Sequence, residues 1–487
     1  MHTIYINDMK NPLAISPTFE AINLFRQSAS AKIAGISCLE SIDWKVSIDW
    51  NEGIILRGTI QLTNEILAIE KLGLLDPFNL IINNATYNVD AHYATIWDET
   101  EDWSTECDLK ICIKKIIEIN NNSKADSFFR IVLPLKDRLN WHRGINNSNY
   151  RFVDSNHMSS SSRININGIN VFICDYKRRD EDWLVIDNET PTTYDNFIQL
   201  YYPILLSFGI FTSVVPLDFN IILSSSTEKF ELDISLCGYE KLIPTIRSQY
   251  DIFSATTRGF EYLLNYNHVE YCLPQLKSLE QNSELQLLNI DIVETLANNL
   301  YKNEDLQRTL QMLLEASHAP LEYQAAIFFC ALETLCGITD APIVDDKIWK
   351  DTILPPLENV IRELSPEIVD KNAKEIILHK ISGCNHIPNG EKLKQPFEAV
   401  GYDLSEFDLR TLNNLRNKYL HGHVSGKTFD EQYDLIRHDS LSAHKLCCIL
   451  ILLRAGFKGY IINNLVLQGF HEEVSAKEPL FIKIPNM

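Results

Sequence analysis

An α+β fold is predicted, on three observations. Apolar and polar residues alternate with period two over the first half, the spacing turns helical near residue 238, and long apolar helical runs fill the last third. The chain therefore divides into a β-rich N-terminal domain of sandwich or barrel type (1–237), a helical connector (238–315) and a C-terminal α-helical bundle (316–487). At 487 residues it exceeds one ordinary core. A hydrophobic content of 45% with 10% aromatics is that of a packed protein and argues against disorder.

The β-rich part is read from its hairpins. Trp44, Val46, Ile48 and Trp50 alternate with Asp43, Lys45, Ser47 and Asp49; Asn51-Glu52-Gly53 then turns the chain into a second run over 54–62. Comparable runs recur at 86–96, 109–119, 128–135, 164–174, 219–223 and 230–236. Residues 120–123 and the serines 159–162 read as surface loops. One apolar helix over 194–211 interrupts the strands. Residues 245–315 carry Ile, Leu and Tyr at threes and fours, with Pro274 as a break. The bundle is helical throughout: 322–336, apolar nearly all round and ended by Gly337, then 345–364, 370–382, 404–420 and 429–456.

A formal charge of -21 excludes the broad basic footprint of a general nucleic-acid coat, so any nucleic acid is held at a local patch. The first residues, Met1-His2-Thr3-Ile4-Tyr5, have neither a basic nor an apolar signal region, and the longest apolar run, 446–453, is too short for a bilayer. The 11 cysteines are scattered without a C-x-x-C pair, as expected of reduced thiols in a cytoplasm.

The segment 412–422 carries the chemistry. On a regular helix Leu409, Leu412, Leu415 and Tyr419 share an arc about 120° wide, and Arg416 falls inside it. A guanidinium on an apolar face needs an anion. His421 projects about 140° away, and Gly422 suits the residue that ends the helix. A capped helix end with a snorkelling Arg and a surface His is the plain reading. Glu333, at the edge of the buried face of the 322–336 helix, also needs an opposite charge, which pairs the two helices in one constellation.

Phe329-Cys330-Ala331-Leu332-Glu333-Thr334-Leu335, followed by Arg416-Asn417-x-x-x-His421-Gly422, resembles the HEPN superfamily of helical-bundle ribonucleases over residues 315–460. A β-rich region ahead of such a bundle looks most like the anti-phage ApeA-type proteins. The resemblance implies metal-independent, cofactor-free RNA cleavage, in which the substrate's 2′-OH attacks the adjacent phosphate. His421 is the expected acid or base, Arg416 the group that stabilises the phosphorane, Asn417 an orienting group and Glu333 the partner of Arg416. It also implies a homodimer through the motif-bearing helices, open to higher assembly, an RNA target such as tRNA, and a phage-derived trigger sensed by the N-terminal domain. Arg410, Lys418 and Lys427 are the expected basic rim. Small HEPN toxins with a modified Tyr two residues after the motif His are not matched, because this chain has His423 there; His423 is counted with the RNA-binding rim, as a surface residue rather than a second proton-transfer group.

Other constellations are weaker. Cys384, His386, His421 and His423 match no zinc spacing. The acidic group Asp98, Glu99, Glu101, Asp102 and Glu106 lacks the ligand alternation of a calcium loop. Residues 177–182 are self-neutralising and read as a turn. Trp44 and Trp50 alternate with Val and Ile as core residues do, and there is no phosphate-binding glycine loop. Two competing readings remain at this level: a non-catalytic RNA- or protein-binding bundle in which Arg416 and Glu333 form a structural ion pair, and a carbohydrate-binding sandwich with a helical tail.

Overall fold

Period-two patterning places one face of each strand inward, and the computed structural model pairs these strands in order of their hydrophobic registers. It describes residues 14–26, 30–49, 51–61, 77–98, 106–119, 127–135, 145, 149–153, 157–178, 181–231, 233–248, 274–275, 277–279, 288–337, 342–420, 428–467 and 478–485. The chain forms two compact units, Met1–Gln307 and Arg308–Met487. The first holds a large antiparallel sheet and the second is helical, so the α+β class holds.

The strands of the first unit are β1 (Ser30–Ala34), β2 (Trp44–Asp49), β3 (Gly53–Gln61), β4 (Phe78–Ile82), β5 (Ala85–Val89), β6 (Ala94–Asp98), β7 (Glu106–Ile113) and β8 (Lys115–Glu118). They continue as β9 (Phe128–Leu135), β10 (Asn149–Val153), β11 (His157–Ile166), β12 (Ile169–Arg178), β13 (Glu181–Asn188), β14 (Val214–Val215), β15 (Phe219–Ser225), β16 (Ser235–Lys241) and β17 (Ile246–Arg247). Strands β14 and β17 pair alone. The other 15 make one sheet in the order β10-β11-β12-β13-β9-β15-β16-β8-β5-β4-β1-β2-β3-β7-β6.

The β2–β3 hairpin is the expected one. Asp49 lies opposite Gly53, whose φ of +109° suits glycine, and Asp49 Oδ1 accepts from the N–H groups of Asn51 (2.7 Å) and Glu52 (3.1 Å). Trp44 is wholly buried, as expected of a core residue, and Trp50 lies outside the described residues. Lys177 and Arg178, expected in a turn, end β12 and stand opposite Asp182 and Glu181 of β13.

The sheet curls around the Ser16–Arg26 helix, for one cluster unites Phe19 with residues far apart in strand order, such as Trp44, Val132, Tyr176 and Trp183. Phe19 stacks on Tyr176 at 5.5 Å and meets Trp183 edge-on at 5.2 Å. Beside it the fully buried Arg130 forks onto Asp187 through two 2.7 Å hydrogen bonds and donates to Ala14 O (2.7 Å) and Thr18 Oγ1 (2.6 Å). A buried charge with every contact met in this way costs little to keep and much to break.

Several expected elements differ. The serines 159–162 are not a loop but part of β11, held between β10 and β12, where Ser161 and Ser162 are buried. The run 86–96 breaks at a 3₁₀ turn, Ala91–Tyr93, and 109–119 breaks at Lys114, so that its halves pair in distant parts of the sheet. Phe230, Glu231, Asp233 and Ile234 are not strand; Phe230 and Asp233 take left-handed φ of 53°. The helical connector does not begin at 238. Gly238 lies within β16, where a Cβ would meet Tyr194 Oη at 3.0 Å and Ile116 O at 3.3 Å. The Ile290–Tyr301 helix packs on the Tyr194–Thr212 helix and on β11, where Glu294 accepts from Asn165 N–H at 2.7 Å, so this helix of the expected connector belongs to the sheet unit.

In the helical unit the Leu321–Cys336 helix lies along the Phe429–Arg454 helix, nearly all of whose residues from 440 to 453 are buried. The Asn389–Ala399 helix and the 406–420 segment pack against the Leu321–Cys336 helix, and Tyr460–Ile462 pairs with Phe481–Lys483. Among the described residues, no helix is long and apolar enough to cross a membrane.

Candidate functional site

Three helical pieces make up the 406–420 segment. A capping box of Ser405 and Asp408 starts the Glu406–Arg410 helix; a π-helical turn, Thr411–Leu415, follows, and Arg416–Leu420 returns to α-helix. The extra residue of a π turn shifts the upstream face back by one position. Leu412, Leu415 and Tyr419 are buried as the regular projection predicted, but Leu409 is only half-buried and Asp408 and Thr411 take its place.

Buried Asp408 is matched by Lys445 of the Phe429–Arg454 helix, at 2.7 Å, and Lys445 also reaches Glu478 at 2.9 Å. Ser405 Oγ donates to Glu478, and Asn463 Nδ2 donates to it at 3.0 Å. Burial opposes the charge on Lys445, but the Asp408 and Glu478 carboxylates outweigh it and raise its pKa. Burial likewise opposes the charge of Glu478, yet Lys445 and the hydrogen bonds hold its carboxyl below the usual range.

The last turn before His421 is pinned by Asp439. Its Oδ2 accepts from Tyr419 Oη at 2.7 Å and from Lys418 Nζ at 3.2 Å, while His438 Nδ1 lies 3.4 Å from Oδ1. Burial alone would raise the pKa of Asp439; the contacts from His438, Tyr419 and Lys418 prevail and lower it. Burial, helped by Asp439, raises that of Tyr419. Lys418, expected as a solvated rim cation, is therefore turned inward, with an ammonium already paired. Arg410 is exposed.

Contacts between the helices fix their directions. Phe328 O accepts from Cys447 Sγ at 3.5 Å and Leu335 O from Arg454, so the Leu321–Cys336 and Phe429–Arg454 helices run parallel. Asp408 meets Lys445 and Tyr419 meets Asp439, so the 406–420 segment runs antiparallel to both. Phe329 stacks on Tyr419 at 6.1 Å. Glu333 is one turn beyond Phe329, and Arg416 is one turn before Tyr419, which sets the two at the same level of adjacent helices. Glu333 is half-buried. Arg416 and Asn417 are placed by their backbone in the Arg416–Leu420 helix, and their side chains lie outside the description, as do His421, His423 and Lys427 entirely.

The buried polar group Asp408, Asp439, Lys445 and Glu478 was missed in reading the sequence. Its signal was present in the Phe429–Arg454 helix, where His438, Asp439, His444 and Lys445 interrupt an apolar run yet are all buried. Exposed Cys384 donates through Sγ to Lys380 O at 3.2 Å, and no set of three or more His, Cys, Asp or Glu side chains among the described residues is arranged to hold a metal ion.

No family model matches the chain, and no curated protein matches it. Among solved structures, the crystal structure of the di-domain ARO/CYC StfQ from the steffimycin biosynthetic pathway aligns at 7% identity, over 39% of this chain and 84% of that chain, with a TM-score of 0.08. That likeness carries no argument about fold or function.

Proposed function

We propose that the helical unit is a HEPN-type bundle and that the protein is a metal-independent RNA endonuclease acting as an anti-phage effector in the cytoplasm. The observation that carries the reading is the level placement of Glu333 and Arg416 on adjacent antiparallel helices, which follows from the Phe329–Tyr419 stack and the pairings of Asp408 and Tyr419. A carboxylate at that height is what an Arg on the inner face of the segment requires. Asp439, by gripping Lys418 and Tyr419, gives the turn that leads into His421 a fixed base.

In this reading RNA supplies its own nucleophile. The 2′-OH attacks the neighbouring phosphorus and the P–O5′ bond breaks, leaving a 2′,3′-cyclic phosphate and a 5′-OH. His421 moves the proton to or from these oxygens, Arg416 stabilises the charge on the non-bridging oxygens, Asn417 orients, and Glu333 holds Arg416. One helix end offers one His to a reaction that uses an acid and a base, so two copies face each other through the motif helices. Arg410 and Lys427 remain the candidate rim cations. The β-rich unit senses a trigger or restrains the nuclease, and exposed bases of a structured RNA such as tRNA are the target.

The test is purified full-length protein with total RNA, with and without EDTA, followed by mapping of the cut ends. Cyclic-phosphate ends that persist in EDTA, an inert DNA control and a His421→Ala variant slowed by about 10²–10⁴ are expected. A 5′-phosphate product, strict metal dependence or wild-type cleavage by His421→Ala would overturn the reading. Arg416→Ala is read beside a melting curve, because loss of folding would mimic loss of catalysis.

A further inference from the structure

We infer that the curled sheet and the Ser16–Arg26 helix enclose a binding site for a small neutral molecule, mostly apolar, with one hydroxyl or carbonyl group. A cavity of about 250 Å³ lies between them, walled by Ala21 and Ile22 of the helix and by residues of β2, β4, β5, β8, β15 and β16. The strand register explains its place. Tyr239 lies opposite both Ile221 and Ile116, and Tyr87 lies opposite Glu118, two residues beyond Ile116, so all five share the inner face. The start of β5, the end of β8 and the start of β16 meet at one end of the sheet, and the cavity opens there. Asn83 is exposed at this mouth, with Glu118 and Ser235 half-buried, whereas Ile22, Ile221 and Tyr239 are buried. From Ser235 to Tyr239 is four residues of strand, a depth of roughly 13 Å.

The lining selects the ligand. Nine of its fourteen described residues are aliphatic, none of the fourteen is Lys, Arg or His, and Glu118 stands at the mouth. An anion would enter past a carboxylate and find no counter-charge. Of the seven partly buried hydrophobic residues packed against the core, four face this space: Ile48, Ala85, Ile234 and Leu236. An apolar occupant would cover them. Two buried phenols supply the polar contacts. Tyr239 is 1% exposed and its hydroxyl has no hydrogen-bond partner among the described residues. Tyr87 is 4% exposed and donates to Leu236 O at a long 3.4 Å, which leaves its own lone pairs for a donor. Burial holds both phenols protonated far above neutrality, so they act as hydrogen-bonding groups and not as charges. An unpaired buried hydroxyl is costly, and a ligand hydroxyl or carbonyl relieves that cost. A cavity of about 150 Å³ takes benzene, so this one takes a body of about ten non-hydrogen atoms, such as two fused rings, and excludes a whole lipid or a nucleotide. The site lies within the first unit and does not need the nuclease chemistry to be right.

The probes are naphthalene, 2-naphthol and 2-naphthoate, titrated against full-length protein at neutral pH with their own fluorescence as the readout. 2-Naphthol is expected to bind with a dissociation constant of about 10–100 µM, roughly three- to tenfold tighter than naphthalene, and 2-naphthoate is expected not to saturate. Tyr87→Phe/Tyr239→Phe should erase the difference between the two neutral probes and leave naphthalene binding unchanged. Ala85→Phe fills the cavity from its rim and should abolish binding of both. Ala21→Phe fills it from the helix and repeats the test if the first substitution lowers the melting temperature. Failure of both neutral probes to bind up to their solubility, binding that survives the filling substitutions, or 2-naphthoate as the tightest probe would overturn the inference. A preference for 2-naphthol that persists in the double phenol variant would overturn the part given to Tyr87 and Tyr239.

Discussion

Acidification between pH 6.5 and 4.5 is expected to destabilise the helical unit through one side chain, His444. It lies on the Phe429–Arg454 helix with 3% of its surface exposed, its ring 5.1 Å from that of Phe328 and its Nδ1 3.6 Å from Cys448 Sγ. Burial pushes its pKa from 6.5 down to about 4. Between these values the unfolded chain takes up a proton that the folded chain refuses, so stability is complete above 6.5 and falls as the pH drops. The interval corresponds to roughly 3 kcal/mol, of which about 2 kcal/mol is lost by pH 5. Asp439 and Glu478 act in the same direction but lower down. Their carboxyls titrate below the usual range in the folded state, so their contribution is present above pH 4–5 and lost only beneath it. Among the described groups whose pKa is shifted, His444 is the one that acts across the window from 6.5 to 4.5. Hydrogen exchange of the amides of the Phe429–Arg454 helix, corrected for intrinsic rates and measured from pH 7.5 to 4.5, reads the helical unit without assuming that the whole chain unfolds as one. His444→Leu keeps an apolar volume that cannot titrate. It should show an offset from the lost Cys448 contact, with little slope across the window. Parallel pH dependence in the variant and the wild type would refute the reasoning.

Two further outcomes follow from buried contacts. Lys445→Met leaves Asp408 and Glu478 facing each other without a cation, and should cost about 3–5 kcal/mol at pH 7, with a smaller loss as acid neutralises the carboxylates; a loss under about 1 kcal/mol in urea unfolding would show that the triad is not held as drawn. Gly209→Ala puts a Cβ 2.3 Å from Val215 Cγ2 and 3.2 Å from Val214 O, and overpacking of about 1–3 kcal/mol should outweigh the propensity gain of about 1 kcal/mol, visible as a lower melting temperature of the sheet unit.

What could be read from the sequence depended on whether a local pattern was also the tertiary one. The Trp44–Gly53 hairpin was legible because alternation, an Asx turn and a glycine at positive φ all act within ten residues. The serines 159–162 were misread because a polar run has the composition of a loop. The burial of Ser161 and Ser162 comes from the neighbouring strands of the sheet, which composition does not record. Gly238 was misread as the start of helix because a glycine serves a break and a crowded strand equally well. Only Tyr194 and Ile116, both distant in sequence, show which is in force.

The 406–420 segment shows the same distinction. A regular 100° per residue from Leu409 to Tyr419 is broken by the Thr411–Leu415 π turn. The break displaces only the upstream residues, so Leu409 leaves the core and Asp408 enters it, while Leu412, Leu415 and Tyr419 stay where a regular helix sets them. Arg416 opens the α-helical turn that follows the π turn. The displaced part carries a consequence of its own. Asp408 reaches Lys445 while Tyr419 reaches Asp439, so the segment is anchored at both ends to one helix across the π turn. A helix held at two points with one residue too many between them has its last turn fixed in height and rotation. That is the condition under which a residue just beyond Leu420 can be presented to a substrate reproducibly.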